Sequence, residues 1–138
     1  MIVDKSLELS SEQAVTASAA STNYVDLGVA SRPGVAQKYI AITVKEAAAA
    51  AGAATVTFKL QSDSDSAFGS AVDESTTAAI GKADLVLGKQ IFIPLPVEME
   101  ARYFRMYYTV ASGPLTAGKF DAHVVEGIQM NQAYPDAL

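Results

Sequence analysis

The sequence has no cysteine, no tryptophan and a single histidine. The missing cysteine rules out disulfide frameworks, thiol nucleophiles and cysteine-based zinc sites. Cationic residues are also scarce, with 10 Lys and Arg against 15 Asp and Glu, giving a formal charge of −5 and a pI near 4.7. Duplex nucleic acid is therefore not expected as a partner, because phosphate binding needs a concentrated basic face. No run of residues reaches the ~20 apolar positions of a membrane span, so no membrane partner is expected either. The opening MIVDKSLELS sets Asp4 and Glu8 where a secretory signal would need an apolar stretch.

What is present suits one globular domain. The 138 residues are 50% hydrophobic, although 25 of them are alanine. A chain of this length buries roughly two thirds of its unfolded surface. With only 18% charged residues and a mean hydropathy of +0.20, the chain lacks the signature of disorder. Twelve Ser and nine Thr favour a turn-rich β domain over a helical bundle.

Period-two alternation, the repeat of a strand with one buried face, recurs along the chain. Ile40, Ile42 and Val44 alternate with Tyr39, Ala41 and Thr43, and Val56, Phe58 and Leu60 alternate with Thr55, Thr57, Lys59 and Gln61. Phe104, Met106, Tyr108 and Val110 oppose Tyr103, Arg105, Tyr107 and Thr109. Phe120, Ala122 and Val124 oppose Asp121, His123 and Val125. Ile91, Ile93 and Leu95 form another such set, where Pro94 and Pro96 point to an edge strand. Shorter strands are expected at Tyr24–Leu27, Thr76–Ile80 and Ala83–Leu87. Turns are expected at Ser31–Gly34 and Ser112–Pro114.

Between the strands, the Ala-rich Glu46–Ala54 segment is expected to be a hairpin connection broken at Gly52. It is too short for a stable helix, which needs ~12–15 residues. Gln61–Thr77 is expected to be a loop covering a sheet edge, anchored by Phe68. Residues 1–22 show neither period well. They are expected to form an extended N-terminal arm, with one helical turn capped at Ser10 or Ser11, whose removal would leave the domain folded. Residues 23–128 form the domain, and residues 129–138 a polar C-terminal tail. One-sided alternation over seven or eight short strands predicts an all-β fold, an antiparallel β-sandwich of jelly-roll-like form.

Candidate chemistry weighs little against ordinary structural roles. His123, with Asp121 two residues away, is the one base a Ser-His-Asp system could use, but no G-x-S-x-G elbow accompanies it. It reads as a partly exposed strand histidine. Glu98 and Glu100 could share a face, but nothing would separate their pKa values as acid/base work requires. Asp63-Ser64-Asp65-Ser66, with Asp73 and Glu74, offers alternate carboxylates. It lacks the glycine and terminal Glu of a calcium loop, and reads as a polar loop that satisfies its own backbone. The strongest set is Tyr103, Arg105 and Tyr107 on the face opposite the core. These residue types are enriched at interface hot spots, so they are candidate partner contacts; cover by the N-terminal arm is the alternative. No catalytic, metal or cofactor-binding residue is expected, and the chain is not expected to be an enzyme.

The blocks MIVDKSLELSSEQAVTASAAST, YVDLG, VTFKLQSDSDSAF and FIPLPVEMEARYFRMYYTVASGPLTAGKF resemble, in this order, the Bordetella-phage-type capsid cement (decoration) protein family of tailed phages. The resemblance runs over nearly the whole chain, with the Ala-rich Glu46–Ala54 segment departing from the pattern. It implies a small jelly-roll-like protein on the outer surface of the virion head. It also implies binding as a homodimer where major capsid protein subunits meet, without catalytic residues. A carbohydrate-binding sandwich module is the alternative in another class, with Tyr103 and Tyr107 as its only candidate platform.

Overall fold

The computed structural model describes residues 3–128, which are almost entirely strand and turn. A single 3-10 turn, Lys5–Leu7, precedes strand β1 (Glu8–Ala14), the two-residue β2 (Ala19–Ala20) and β3 (Val25–Ser31). Then come β4 (Lys38–Ala49), β5 (Thr55–Asp63), β6 (Val72–Thr76) and β7 (Ile80–Gly81). A second 3-10 turn, Lys82–Asp84, leads to β8 (Gln90–Leu95), β9 (Ala101–Ala111) and β10 (Ala117–Val125). The tail predicted over 129–138 lies outside the described residues.

The strands form two antiparallel sheets. The first has the order β1-β10-β4-β8; the second has β2-β9-β5-β6, with β3 also on β9 and β7 also on β5. Counting β2 with β3 and β6 with β7 leaves eight strands, four to a sheet. Early and late strands interleave in each sheet, which is the double-sheet jelly roll.

Alternation builds the core as the pattern predicts. Ile40, Ile42, Val44, Val56, Phe58, Leu60, Met106, Tyr108, Phe120 and Ala122 are all fully buried. At its centre three rings meet: Phe58 lies edge-on to Tyr108 and Phe120, at 5.7 and 5.3 Å, while Tyr108 and Phe120 stack at 5.8 Å. Such pairs add about 0.5–1.5 kcal/mol each beyond the area they bury. The Tyr108 hydroxyl reaches across to the opposite sheet. It lies 2.7 Å from Ser10 Oγ, whose own hydrogen goes to Gln13 Oε1 at 2.7 Å, so tyrosine donates. Burial pushes the Tyr108 phenol well above its ordinary range.

Five expectations need correction. The described part of residues 1–22 is not an arm, and Ser10 and Ser11 cap no helix. β1 pairs with β10, β2 pairs with β9, and Leu9 and Val15 are buried in the core. Alternation fails there because the register slips between Glu8 and Ser10 and again between Ser10 and Gln13, with Glu12 at φ +43°. A bulge puts neighbouring residues on the same face, and so erases period two. The Ala-rich segment is not a hairpin connection: β4 runs on to Ala49, and the chain then crosses to the other sheet before β5. Alanines suit that crossing, since Ala54 is buried at the rim of the core.

Ala83–Leu87 is not a strand: it leaves the Lys82–Asp84 3-10 turn and runs into a second turn at Leu87–Gly88. Leu85 plugs the core, and Val44 and Ala48 donate backbone hydrogen bonds to Lys89 and Leu85. Thr76–Ile80 splits into the end of β6 and the start of β7, and Gln61–Thr77 is a loop only between Asp63 and Val72. The edge position of β8, by contrast, is as Pro94 predicts.

Deleting residues 1–14 removes a whole strand and Leu9. The truncated chain is therefore expected to lose its cooperative melting transition by circular dichroism, instead of leaving the sandwich intact. Ser10→Ala strands the buried Tyr108 hydroxyl and is expected to cost about 1–3 kcal/mol in urea unfolding. Combining it with Tyr108→Phe removes both partners, so the double variant is expected to lose less than the sum of the single losses.

Candidate functional site

The outer face of the second sheet follows from the same alternation that builds its core. Because Phe104, Met106 and Tyr108 of β9 point inward, Tyr103, Arg105 and Tyr107 point outward, and all three are half-buried. Their partners across β5 are Asp63, Gln61 and Lys59 in turn. The structure thus brings the three predicted residues together on one face. The N-terminal segment meets the set at the sheet border, where Ala20 pairs with Tyr107, and other side chains lie over part of the face.

Two further aromatics do so. Tyr24, just before β3, packs edge-on against Tyr103 at 5.5 Å and against Phe68 at 6.0 Å. Phe68 arrives from the β5–β6 connection and lies over the Arg105 guanidinium, 4.2 Å from ring centroid to Cζ; Tyr107 is 5.7 Å from the same carbon. Arg105 Nε donates to Gln61 Oε1 at 3.1 Å. Gln61 Nε2 donates to Asp73 Oδ1 at 2.9 Å, and Lys59 Nζ to Asp73 Oδ2 at 2.8 Å. Those two donors, the lysine foremost, hold the Asp73 carboxyl below its ordinary range. At the β3 border Arg102 makes a two-pronged pair with Asp26, at 2.9 and 3.1 Å, and lies over the Tyr103 ring at 4.9 Å.

Phe68 is an anchor, as its isolation in a polar stretch suggests, and it is held at φ +52°. That conformation costs a non-glycine residue about 1–3 kcal/mol and persists only where the surroundings fix it. Asp63 supplies much of the fixing. One carboxylate oxygen accepts the Asp65 N–H at 3.1 Å and the other accepts the Ser70 N–H at 2.9 Å, so the loop is tied at both ends. Asp65 in turn accepts the Ala67 N–H at 3.1 Å. The Asp63-Ser64-Asp65-Ser66 run thus serves the backbone, and the N–H donors hold the Asp63 carboxyl below its usual value. Asp73 and Glu74 do not fold back to join it: Asp73 is held by Lys59 and Gln61, while Glu74 accepts from Ser62 Oγ.

The other candidates are scattered. His123 Nε2 lies 3.2 Å from Glu8 Oε2, across the β1–β10 pair. Asp121 is engaged by other partners, accepting the Glu12 N–H at 2.6 Å and lying 3.7 Å from Lys45 Nζ. Ser112 and Gly113, with φ of +60° and +102°, make the predicted turn between β9 and β10. Glu98 and Glu100 are exposed in the β8–β9 connection, and Glu100 sits 4.0 Å from Arg32. Among the described residues no three His, Cys, Asp or Glu side chains converge to hold a metal, and no helix is long and apolar enough to cross a membrane.

Sequence reasoning missed Tyr24. The role of the Asp63 run as an acceptor for its own backbone was readable, because Asp and Ser in a turn commonly accept nearby N–H groups. Tyr24 had no such signal. Its neighbours Tyr103 and Phe68 are distant in sequence.

The geometry is that of a stiff, edge-to-face aromatic cluster with embedded arginines on the outer face of an eight-stranded jelly roll. The model of the Bbp16 family matches residues 9–124, from the first core residue of β1 to the last inward residue of β10. The chain belongs to that family, a family of phage proteins. A comparison with curated proteins finds no match.

Asp63→Ala frees the loop that carries Phe68 and is expected to lower the melting temperature at neutral pH. The Asp63 pKa is depressed in the folded state. Its stabilisation is therefore complete above the unfolded value of about 3.9 and lost as pH falls through the lower folded value. Melting curves between about pH 7 and about pH 2 should show the gap between wild type and variant closing only in the acid range.

Proposed function

We propose that this protein is a phage capsid cement protein, docking on the outer surface of the head across major capsid protein subunits and stabilising the shell. The observation that carries this is membership of the Bbp16 phage family across the entire sandwich, joined to the resemblance of its sequence blocks to capsid cement proteins. In this reading it acts as a homodimer, without cofactor or catalysis.

Physical features support the role. The open sides of the sandwich are tied down. Gln13 Nε2 donates to Ala20 O at 2.8 Å and Asn23 N–H to Leu9 O at 2.9 Å on one side, and Ser75 Oγ to Pro94 O at 3.0 Å on the other. A plate so closed spends little ordering entropy when it docks, leaving more of each contact as affinity. Repetition over a symmetric shell then lets modest contacts add up. Tyr24 crosses Phe68 at 63° and Tyr103 at 79°, so these three rings make no flat platform for a sugar ring.

Purified protein mixed with expanded, undecorated heads of its own phage is expected to pellet with them saturably, and to raise the temperature at which the heads disrupt. Protein that stays in the supernatant at every concentration would refute the assignment.

A further inference from the structure

The three arginines are not equivalent. Arg102 is paired with Asp26, and Arg32 lies within 4.0 Å of Glu100. Arg105, in the middle of the aromatic face, is in no ion pair among the described residues. Its Nε is spent on Gln61. The carboxylate that its Gln61 contact leads to, Asp73, has both oxygens engaged by Gln61 and Lys59. Both Nη groups are left without a protein acceptor among the described residues, and so are the hydroxyls of Tyr103 and Tyr107 on either side along β9.

We propose that Arg105 is the receptor for a carboxylate side chain of a partner protein, held ready between Phe68 and Tyr107 and flanked by the Tyr103 and Tyr107 hydroxyls. A guanidinium presents a planar fork of donors that matches a carboxylate. Here its rotamer freedom has been spent in advance, by the Nε bond to Gln61 and by the rings at 4.2 and 5.7 Å. Binding therefore loses little further entropy. The unpaired groups of the site are donors and ring faces. Asp26 and Asp73, each already paired with a cation, and Asp63 lie around it, so the repeated charge of a nucleic-acid backbone would meet carboxylates beside the guanidinium. A single acidic side chain presents its one charge to the guanidinium alone. This names the chemistry of the docking partner, and it rests on the cement reading only for the identity of the protein that carries the acid.

Two measurements test it separately. In solution, a short glutamate-containing peptide is titrated into labelled protein while the Arg105 Nε–Hε resonance is followed. That resonance is expected to move saturably with the glutamate peptide, and to stay still with its glutamine counterpart and with oligothymidylate. The response in neighbouring residues should vanish in Arg105→Gln. No movement with glutamate, equal movement with glutamine, or a larger response to oligothymidylate overturns the inference.

On undecorated heads, Arg105→Gln is expected to raise the half-saturation concentration about tenfold or more, as loss of a charge-assisted hydrogen bond does. Arg105→Lys should recover part of that loss, and the salt dependence of binding should weaken in Arg105→Gln. Circular dichroism melts confirm that both variants fold. If wild type binds heads and Arg105→Gln binds as tightly, the carboxylate receptor is refuted and the cement role stands. If wild type fails to bind heads, the cement role falls and the peptide titration alone decides the receptor.

Discussion

The contact between Tyr108 and Ser10 holds the design together. Tyr108 sits on β9 of the second sheet, and its ring completes the central cluster with Phe58 and Phe120. Its hydroxyl, fully buried, has to find an acceptor, because an unpaired one would cost about 1–3 kcal/mol. The acceptor is on β1, the first strand of the first sheet. From that bond follows the placement of the whole N-terminal segment. Ser10 passes its hydrogen to Gln13, and Gln13 holds both the Ala20 carbonyl and the Thr22 N–H, so the turn from β1 to β2 is fixed as well.

The same strand that anchors the core presents the outer surface. On β9 each inward residue alternates with an outward one, so Tyr103, Arg105 and Tyr107 inherit the rigidity of Phe104, Met106 and Tyr108. A surface built on a central strand is more precise than one built on a loop. Here a loop adds to it without loosening it: Asp63 ties the 64–70 turn, and that turn delivers Phe68 to the Arg105 guanidinium in a strained conformation. The strain is offset where the ring is buried and the cation lies over its face, a contact worth about 0.5–2 kcal/mol. The face is thus an extension of the fold, held by core packing beneath and by carboxylate caps at its border.

Reading period two was enough for the innermost residues of β4, β5, β9 and β10, although Ala41 and Val125 on the opposite face are buried as well. It was enough for the outward set on β9 too. It failed at β1, where two register slips place Leu9 and Ser10 side by side in the interior. It failed again at Lys82–Lys89, where Leu85 enters the core from a turn and backbone bonds to β4 replace a regular ladder. Irregular pairing leaves no periodic trace, so propensity reads such segments as arm or strand according to composition alone. The Ala-rich crossing shows the same limit in another form. Small side chains announce a close passage of the chain, yet not which sheet receives it.

Composition and alternation, then, were sufficient to establish an all-β sandwich without thiol chemistry, the residues of its core, and a face where an arginine lies between tyrosines. These are local properties, fixed by side-chain type and by the two-residue repeat of a strand. Which strands share a sheet, that Glu8–Ala14 completes one, and that Arg105 is the arginine without a carboxylate partner among the described residues were decided by tertiary structure. Each depends on contacts between residues far apart in the chain, and such pairings are selected by the packing of the whole core.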